Sequence, residues 1–203
     1  HNDQIISNHL HKIFRIHSMA MTPSTMMPLG TLAPAFRLLD TVSDNLVELD
    51  DVRGRLATLV MFICNHCPYV KHIEGGLAQL GVDYQGEDVG IVAISSNDVI
   101  AYPQDGPDEM KKFAAENHFN FPYLFDDTQE VAKAYDAACT PDFFLFDRDL
   151  RCVYRGRFDS ARPKSTEPVT GLDMRKAIDA TVNGLSVEGD QIPSVGCNIK
   201  WRG

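Results

Sequence analysis

Basic residues are scarce in this 203-residue chain: 19 Lys and Arg stand against 28 Asp and Glu, a formal charge of −9. A protein that grips nucleic acid by neutralising phosphates needs clustered Lys and Arg, so that class is excluded. Long apolar runs are missing too. The nearest approach, Leu56–Ile63, falls far short of the roughly 20 residues of a membrane-spanning helix. Cysteine is sparse and odd in number, five residues, which is wrong for a disulfide-stapled secreted scaffold. There is one Cys-x-x-Cys and no second, whereas tetrahedral zinc asks for four ligands, usually from a second such pair or a Cys/His pair. Of the seven histidines, His1, His9, His11 and His17 crowd the beginning of the chain, leaving His66, His72 and His118.

Residues 1–20 lack periodicity and read as a leader or extension ahead of the fold. Ile13-Phe14-Arg15-Ile16-His17 is too short and interrupted for a signal peptide, so the expected setting is reducing and cytosolic. Residues 21–185 read as one domain and 186–203 as a polar C-terminal tail. With 44% apolar residues, the domain is long enough to bury a core.

Two short alternating runs, Ala35–Asp40 and Leu46–Leu49, flank Ser43-Asp44-Asn45 and predict a β-hairpin. Leu56–Ile63 and Val89–Ile94 are almost wholly apolar, the pattern of strands buried on both faces. Val70, Ile73, Leu77 and Leu80 are spaced as one stripe of an amphipathic helix, although Gly75-Gly76 interrupts it at a cost of roughly 1 kcal/mol per glycine. Residues 108–117 predict a helix with Met110, Phe113 and Ala114 inward, and Glu130–Tyr135 another turn or two. Phe143–Phe146 and Cys152–Arg157 predict an antiparallel hairpin. A last helix carries Met174, Ile178, Val182 and Leu185 on one face, with Thr170 and Asp173 as its expected capping pair and Gly184 as its stop. This order describes one α/β sandwich.

Cys64-Asn65-His66-Cys67-Pro68 stands where the buried strand hands over to the helix. Unpaired N–H groups and the helix dipole favour a thiolate at such a place. Cys64 is therefore expected to be ionised and nucleophilic. Cys67, one turn along, can resolve a mixed disulfide formed there, and Pro68 suits the first helical turn. A protonated His66 would favour the thiolate further and make the disulfide more oxidising. Two other readings of the motif stay open, a metal half-site and a redox-inert interaction module.

Together with Asn97 and Cys139-Thr140-Pro141-Asp142-Phe143-Phe144-Leu145-Phe146-Asp147, this motif resembles the thioredoxin-like superfamily, most closely its redoxin branch (AhpC/TSA, peroxiredoxin-like), from about Gly30 to Gly184. The resemblance implies a thioredoxin-like three-layer α/β sandwich, with an N-terminal β-hairpin and an inserted element between Cys67 and Pro141. It implies a cis proline at Pro141 beside the redox sulfurs, and Thr140 as a backbone contact for a client or partner thiol. The tail ending Gly196-Cys197-Asn198-Ile199-Lys200-Trp201 also resembles a peroxiredoxin-like subgroup.

Peroxiredoxins are similar in carrying Pro-x-x-x-Thr-x-x-Cys before the peroxidatic thiol. Aligning Cys67 with that cysteine puts Val60 and Cys64 at the Pro and Thr positions, and aligning Cys64 puts Ala57 and Met61 there. Arg155, Arg157 and Arg162 offer no secure activating arginine. The expected activity is therefore thiol-disulfide exchange through Cys64 and Cys67, with peroxide reduction second. Cys139 and Cys197 are possible additional thiols, Cys152 looks structural, and Asn97 and Asp98 fit a turn or cap. No bound organic cofactor or metal is expected. The partners implied are a protein dithiol reductant or disulfide client, with hydroperoxide as a further substrate and neither nucleic acid nor membrane.

Overall fold

Side chains on a strand alternate between faces, and a strand apolar at every position needs cover on both. Ala57–Phe62, apolar at every position but Thr58, is buried at all six residues and lies inside the sheet in the computed structural model, which describes residues 21–203. The expected leader at 1–20 lies outside the described residues. In chain order the elements are β1 (Met21–Pro23), β2 (Arg37–Asp40), β3 (Leu46–Glu48), α1 (Leu49–Val52), β4 (Ala57–Phe62), α2 (Pro68–Tyr84), β5 (Val89–Ser95), α3 (Pro107–Glu116), β6 (Tyr123–Phe125), α4 (Glu130–Ala134), β7 (Cys139–Thr140), β8 (Asp142–Asp147), β9 (Cys152–Arg155), α5 (Leu172–Val182) and β10 (Val195–Asn198). A 3-10 turn, Pro103–Asp105, precedes α3.

Seven strands form one sheet in the order β3-β2-β6-β5-β4-β8-β9. β4 and β5 run parallel, as do β5 and β6, and the other pairs are antiparallel. Leu59 and Met61 of β4 point to one face, packed with Val70, Ile73 and Leu77 of α2 and Ile178 of α5. Val60 and Phe62 point to the other, with Val92, Phe144 and Tyr135. Each such side chain, fully buried, contributes about 1.5–3 kcal/mol. This is the thioredoxin-like α/β sandwich. Among the described residues no helix is long and apolar enough to cross a membrane.

The glycine pair in α2 has an explanation at one of its two positions. A Cβ on Gly76 would stand 2.8 Å from Val169 Cγ1 and 3.0 Å from the Phe158 ring, while one on Gly75 meets nothing within 4 Å. Gly76 is the flat spot on which the segment before α5 rests.

Three expectations are corrected. The Thr170–Asp173 capping box does not form. Gly171 is the N-cap with φ +66°; Asp159 accepts from the Thr170 and Gly171 N–H groups at 2.8 and 2.7 Å, and Asp173 pairs with Arg157 at 2.6 Å. Leu185 lies beyond the helix end and is 67% exposed. Finally, 186–203 is more than a tail. β10 is the middle strand of a second, three-stranded sheet, β1-β10-β7; its Cys197 is buried, as is Ile199 just after it. Four short strands, β1, β6, β7 and β10, escape periodicity because two to four residues hold too few alternations to register.

Candidate active site

Three sulfurs meet where the two sheets touch. β4 ends at Phe62, Cys64 follows in the turn, and Cys67 is the N-cap of α2 with Pro68 at the first helical position. β8 pairs antiparallel with β4, Asp142 opposite Phe62, which carries the end of β7 and the cis Thr140–Pro141 peptide to the same place. β10 pairs with β7, Cys197 opposite Thr140, and so delivers the third thiol. Cys64 Sγ lies 3.4 Å from Thr140 Oγ1. Cys67 Sγ lies 3.2 Å from the Thr140 carbonyl oxygen and 2.8 Å from Cys197 Sγ. All five cysteines are thiols and all are buried.

The charge distribution differs from the expected one. Cys67, not Cys64, caps the helix, because Pro68 takes the first helical position. Hydrogen bonds from Cys197 and then Cys64 hold the Cys67 thiol well below the usual cysteine range, against the opposing effect of burial. Cys64 is pushed up, first by its hydrogen bond to Cys67, then by burial and by the Asp105 carboxylate. The two thiols are thus biased in opposite directions, Cys67 down and Cys64 up, and when protonated Cys67 donates to the Thr140 carbonyl and to Cys197 Sγ.

His66 Nδ1 lies 2.6 Å from Asp105 Oδ2 and its ring stacks on Tyr102, centroids 5.5 Å apart. The Asp105 carboxylate opposes ionisation of Cys64. Asp105 is fully buried and also accepts from the Asn65 N–H and from Asn97 Nδ2, each at 2.9 Å. Tyr123 donates to Asn65 Oδ1 at 3.0 Å. Asn97 is thus part of the site's support and also accepts from the Lys200 N–H at 2.9 Å. Asp98 caps its own turn through the Ile100 N–H. Sequence reasoning missed Asp105, because a carboxylate in Tyr-Pro-Gln-Asp-Gly-Pro reads as a solvated turn residue. Cys64, His66 and Asp105 each place a donor atom within 4.8 Å of the others and are the residues that could hold a metal ion.

Cys139 adjoins the cluster in sequence, but its sulfur faces the carbonyl oxygens of Pro141 and Ser194, and burial pushes its thiol up. Cys152 is likewise raised, to about 11, by burial. A groove of about 260 Å³ opens beside His66, lined by Asn65, Lys71, Gln104, Lys112 and Phe113. A crevice of about 20 Å³ borders Pro141 between Tyr69, Ile73, Phe158 and Arg162.

The family model described as AhpC/TSA matches residues 29–155. The chain belongs to the AhpC/TSA family. As a member it is a protein of thiol-based redox chemistry, an enzyme of the thiol oxidoreductase or peroxidase kind. Among solved structures it is 54% identical to an uncharacterized conserved protein from Geobacillus kaustophilus, with TM-score 0.89 over 91% of this chain and 97% of that one. It is 47% identical to a hypothetical protein from Sinorhizobium meliloti 1021, with TM-score 0.87 over 89% and 98%. The thioredoxin domain of a thiol-disulfide oxidoreductase from Bacteroides vulgatus shares the fold at 18% identity, with TM-score 0.57 over 75% and 99%. The match of the AhpC/TSA model takes in Cys64, Cys67 and Pro141, and leaves Cys197 outside.

Proposed function

We propose that this AhpC/TSA protein is a thiol-disulfide oxidoreductase whose working pair is Cys64 and Cys67. The observation that carries the reading is the Cys-x-x-Cys turn at the head of α2, with Cys64 Sγ 3.4 Å from Thr140 Oγ1 and Cys67 Sγ 3.2 Å from the Thr140 carbonyl oxygen, beside the cis Pro141. Cys64 and Cys67 are both buried, and in this reading an incoming disulfide is met by Cys64, the sulfur ahead of the helix. As Cys64 attacks it passes its proton to Cys67. The first client thiolate leaves and takes that proton, and the ionised Cys67 then attacks Cys64 Sγ and releases the second client sulfur. Two electrons pass from the dithiol to the client, and a protein dithiol reductant returns them. Asp105 and His66 are positioning residues at the Cys64 turn. Thr140 and the cis Pro141 present backbone to the client, and Cys139 is a buried apolar filler. A reducing, cytosolic compartment supplies such reductants.

Stabilising the thiolate stabilises the reduced form. The Cys64–Cys67 potential is therefore expected above the about −270 mV of thioredoxin. The test is equilibration with glutathione buffers and mass mapping of the wild type, Cys64→Ser and Cys67→Ser. A disulfide that includes Cys67, with reductase activity lost in both variants, is expected, and a Cys64–Cys67 bridge in Cys197→Ser. Failure of that pair to bridge in Cys197→Ser at any glutathione ratio overturns the reading.

Peroxide reduction is the second reading, favoured by the family. Against it, Arg155 is spent on the Met27 carbonyl and Gln191, Arg157 on Asp173, and Arg162 on the Asp159 and Ala161 carbonyls. Saturating turnover with a hydroperoxide that needs Cys67 and survives Cys64→Ser would put this reading first.

A further inference from the structure

The approach of Cys197 to Cys67 is a built contact. Their sulfurs stand 2.8 Å apart, inside the distance at which two unbonded sulfurs rest comfortably, although the residues are 130 positions apart. β10 is fastened on both sides: Ser24 N–H to Ser194 O at 2.8 Å, Ile199 N–H to Ala138 O at 3.1 Å, and Lys200 N–H to Asn97 Oδ1 at 2.9 Å. Gly196 permits the approach, since a Cβ there would fall 1.9 Å from the Thr140 carbonyl oxygen. The dithiol mechanism gives Cys197 no covalent task.

We infer that Cys197 is a second exchange partner of Cys67, which carries the oxidised bond inward as a Cys67–Cys197 disulfide and returns Cys64 to the thiol. The inference rests on the Cys64–Cys67 reading proposed above. Starting from the Cys64–Cys67 disulfide, Cys197 Sγ attacks Cys67 Sγ. The Cys67–Cys197 bond forms and the Cys64–Cys67 bond breaks. Cys64 leaves with the bonding pair and takes the proton Cys197 gives up, so the protein's oxidation state does not change and no outside oxidant is consumed. The hydrogen bond to Cys67, then burial, hold the Cys197 thiol up in the reduced protein, against the pull of the Lys200 charge. That hydrogen bond is gone once Cys67 is in a disulfide. The oxidised protein thus has β10 tied to the start of α2, with Cys64 returned to the thiol.

The test uses the full chain, oxidised with oxidised glutathione, quenched in acid, alkylated and digested with trypsin, which leaves Cys64 and Cys67 on one peptide and Cys197 on another. In the wild type the Cys197 peptide is expected crosslinked to the Cys64/Cys67 peptide in monomeric protein, with the alkyl label on Cys64. Cys64→Ser is expected to keep that crosslink, whereas Cys197→Ser loses it and holds the Cys64–Cys67 bridge alone. If Cys197 is alkylated throughout while the Cys64–Cys67 bridge forms in the wild type and in Cys197→Ser, the relay is overturned and the dithiol reading stands. If Cys197→Ser forms no Cys64–Cys67 bridge, the dithiol reading itself falls. The wild-type map needs no variant, so a poorly folded Cys64→Ser does not blunt the result.

Discussion

The two sheets of this protein are made on different principles. The seven-stranded sheet is built from apolar strands whose neighbours are fixed by packing on both faces, and it would bury its core whatever stood at its edges. The three-stranded sheet is made of strands of two to four residues, each brought from a distant part of the chain and carrying almost no apolar area of its own. Yet the small sheet delivers Thr140 and Cys197 to the sulfurs. Stability is concentrated in one sheet and chemical fine placement in the other.

Substitution should break that division most plainly in the large sheet. Leu59→Ala, at a fully buried β4 position packed between helices, is expected to cost about 2–5 kcal/mol in denaturant unfolding. Gly196→Ala, which drives a methyl group into the Thr140 carbonyl, is expected to cost less, about 1–3 kcal/mol. It should open the Cys67–Cys197 contact and make Cys197 react faster with a thiol reagent in folded protein. Equal costs, or a Cys197 no more reactive than before, would erase the distinction between the sheets.

Asp142 begins β8 at the junction of the two sheets, and burial raises its carboxyl from 3.8 to about 6. The folded protein then holds a proton the unfolded chain has lost between those values, so this group's contribution to stability is complete below about pH 4 and is lost as pH rises through 6. Asp142→Asn, which keeps an acceptor for the Ala138 N–H, is expected to flatten that part of the stability–pH curve by up to about 3 kcal/mol. Unchanged denaturant midpoints between pH 4 and 6 would contradict it. The smallest effect belongs to α2. Gly75→Ala meets open space on an exposed helical position and should stabilise by about 0.5–1 kcal/mol with activity unaltered. A loss of activity would mean that α2 flexes during exchange.

Legibility followed the same division. β4, β5, α2 and the β8–β9 hairpin could be read because their apolar periods are long, and the Cys64–Cys67 turn because a strand-to-helix boundary brackets it. The cis bond before Pro141 was readable only through resemblance to the redoxin branch. Asp105 was invisible, since its burial depends on hydrogen bonds from Asn65 and Asn97, which no local pattern announces. His66 was legible as a neighbour of the thiols, but its partner Asp105 was not.

What the amino-acid order alone determined is the large sheet, its covering helices and a thiol pair at the head of α2, because periodic burial and helix starts are encoded within a few residues. Only the tertiary structure decided how the two thiols are biased against one another and that a third stands beside them. Those depend on hydrogen bonds and sulfur contacts between residues as far apart as Cys67 and Cys197, and such distances close only when the whole core has formed.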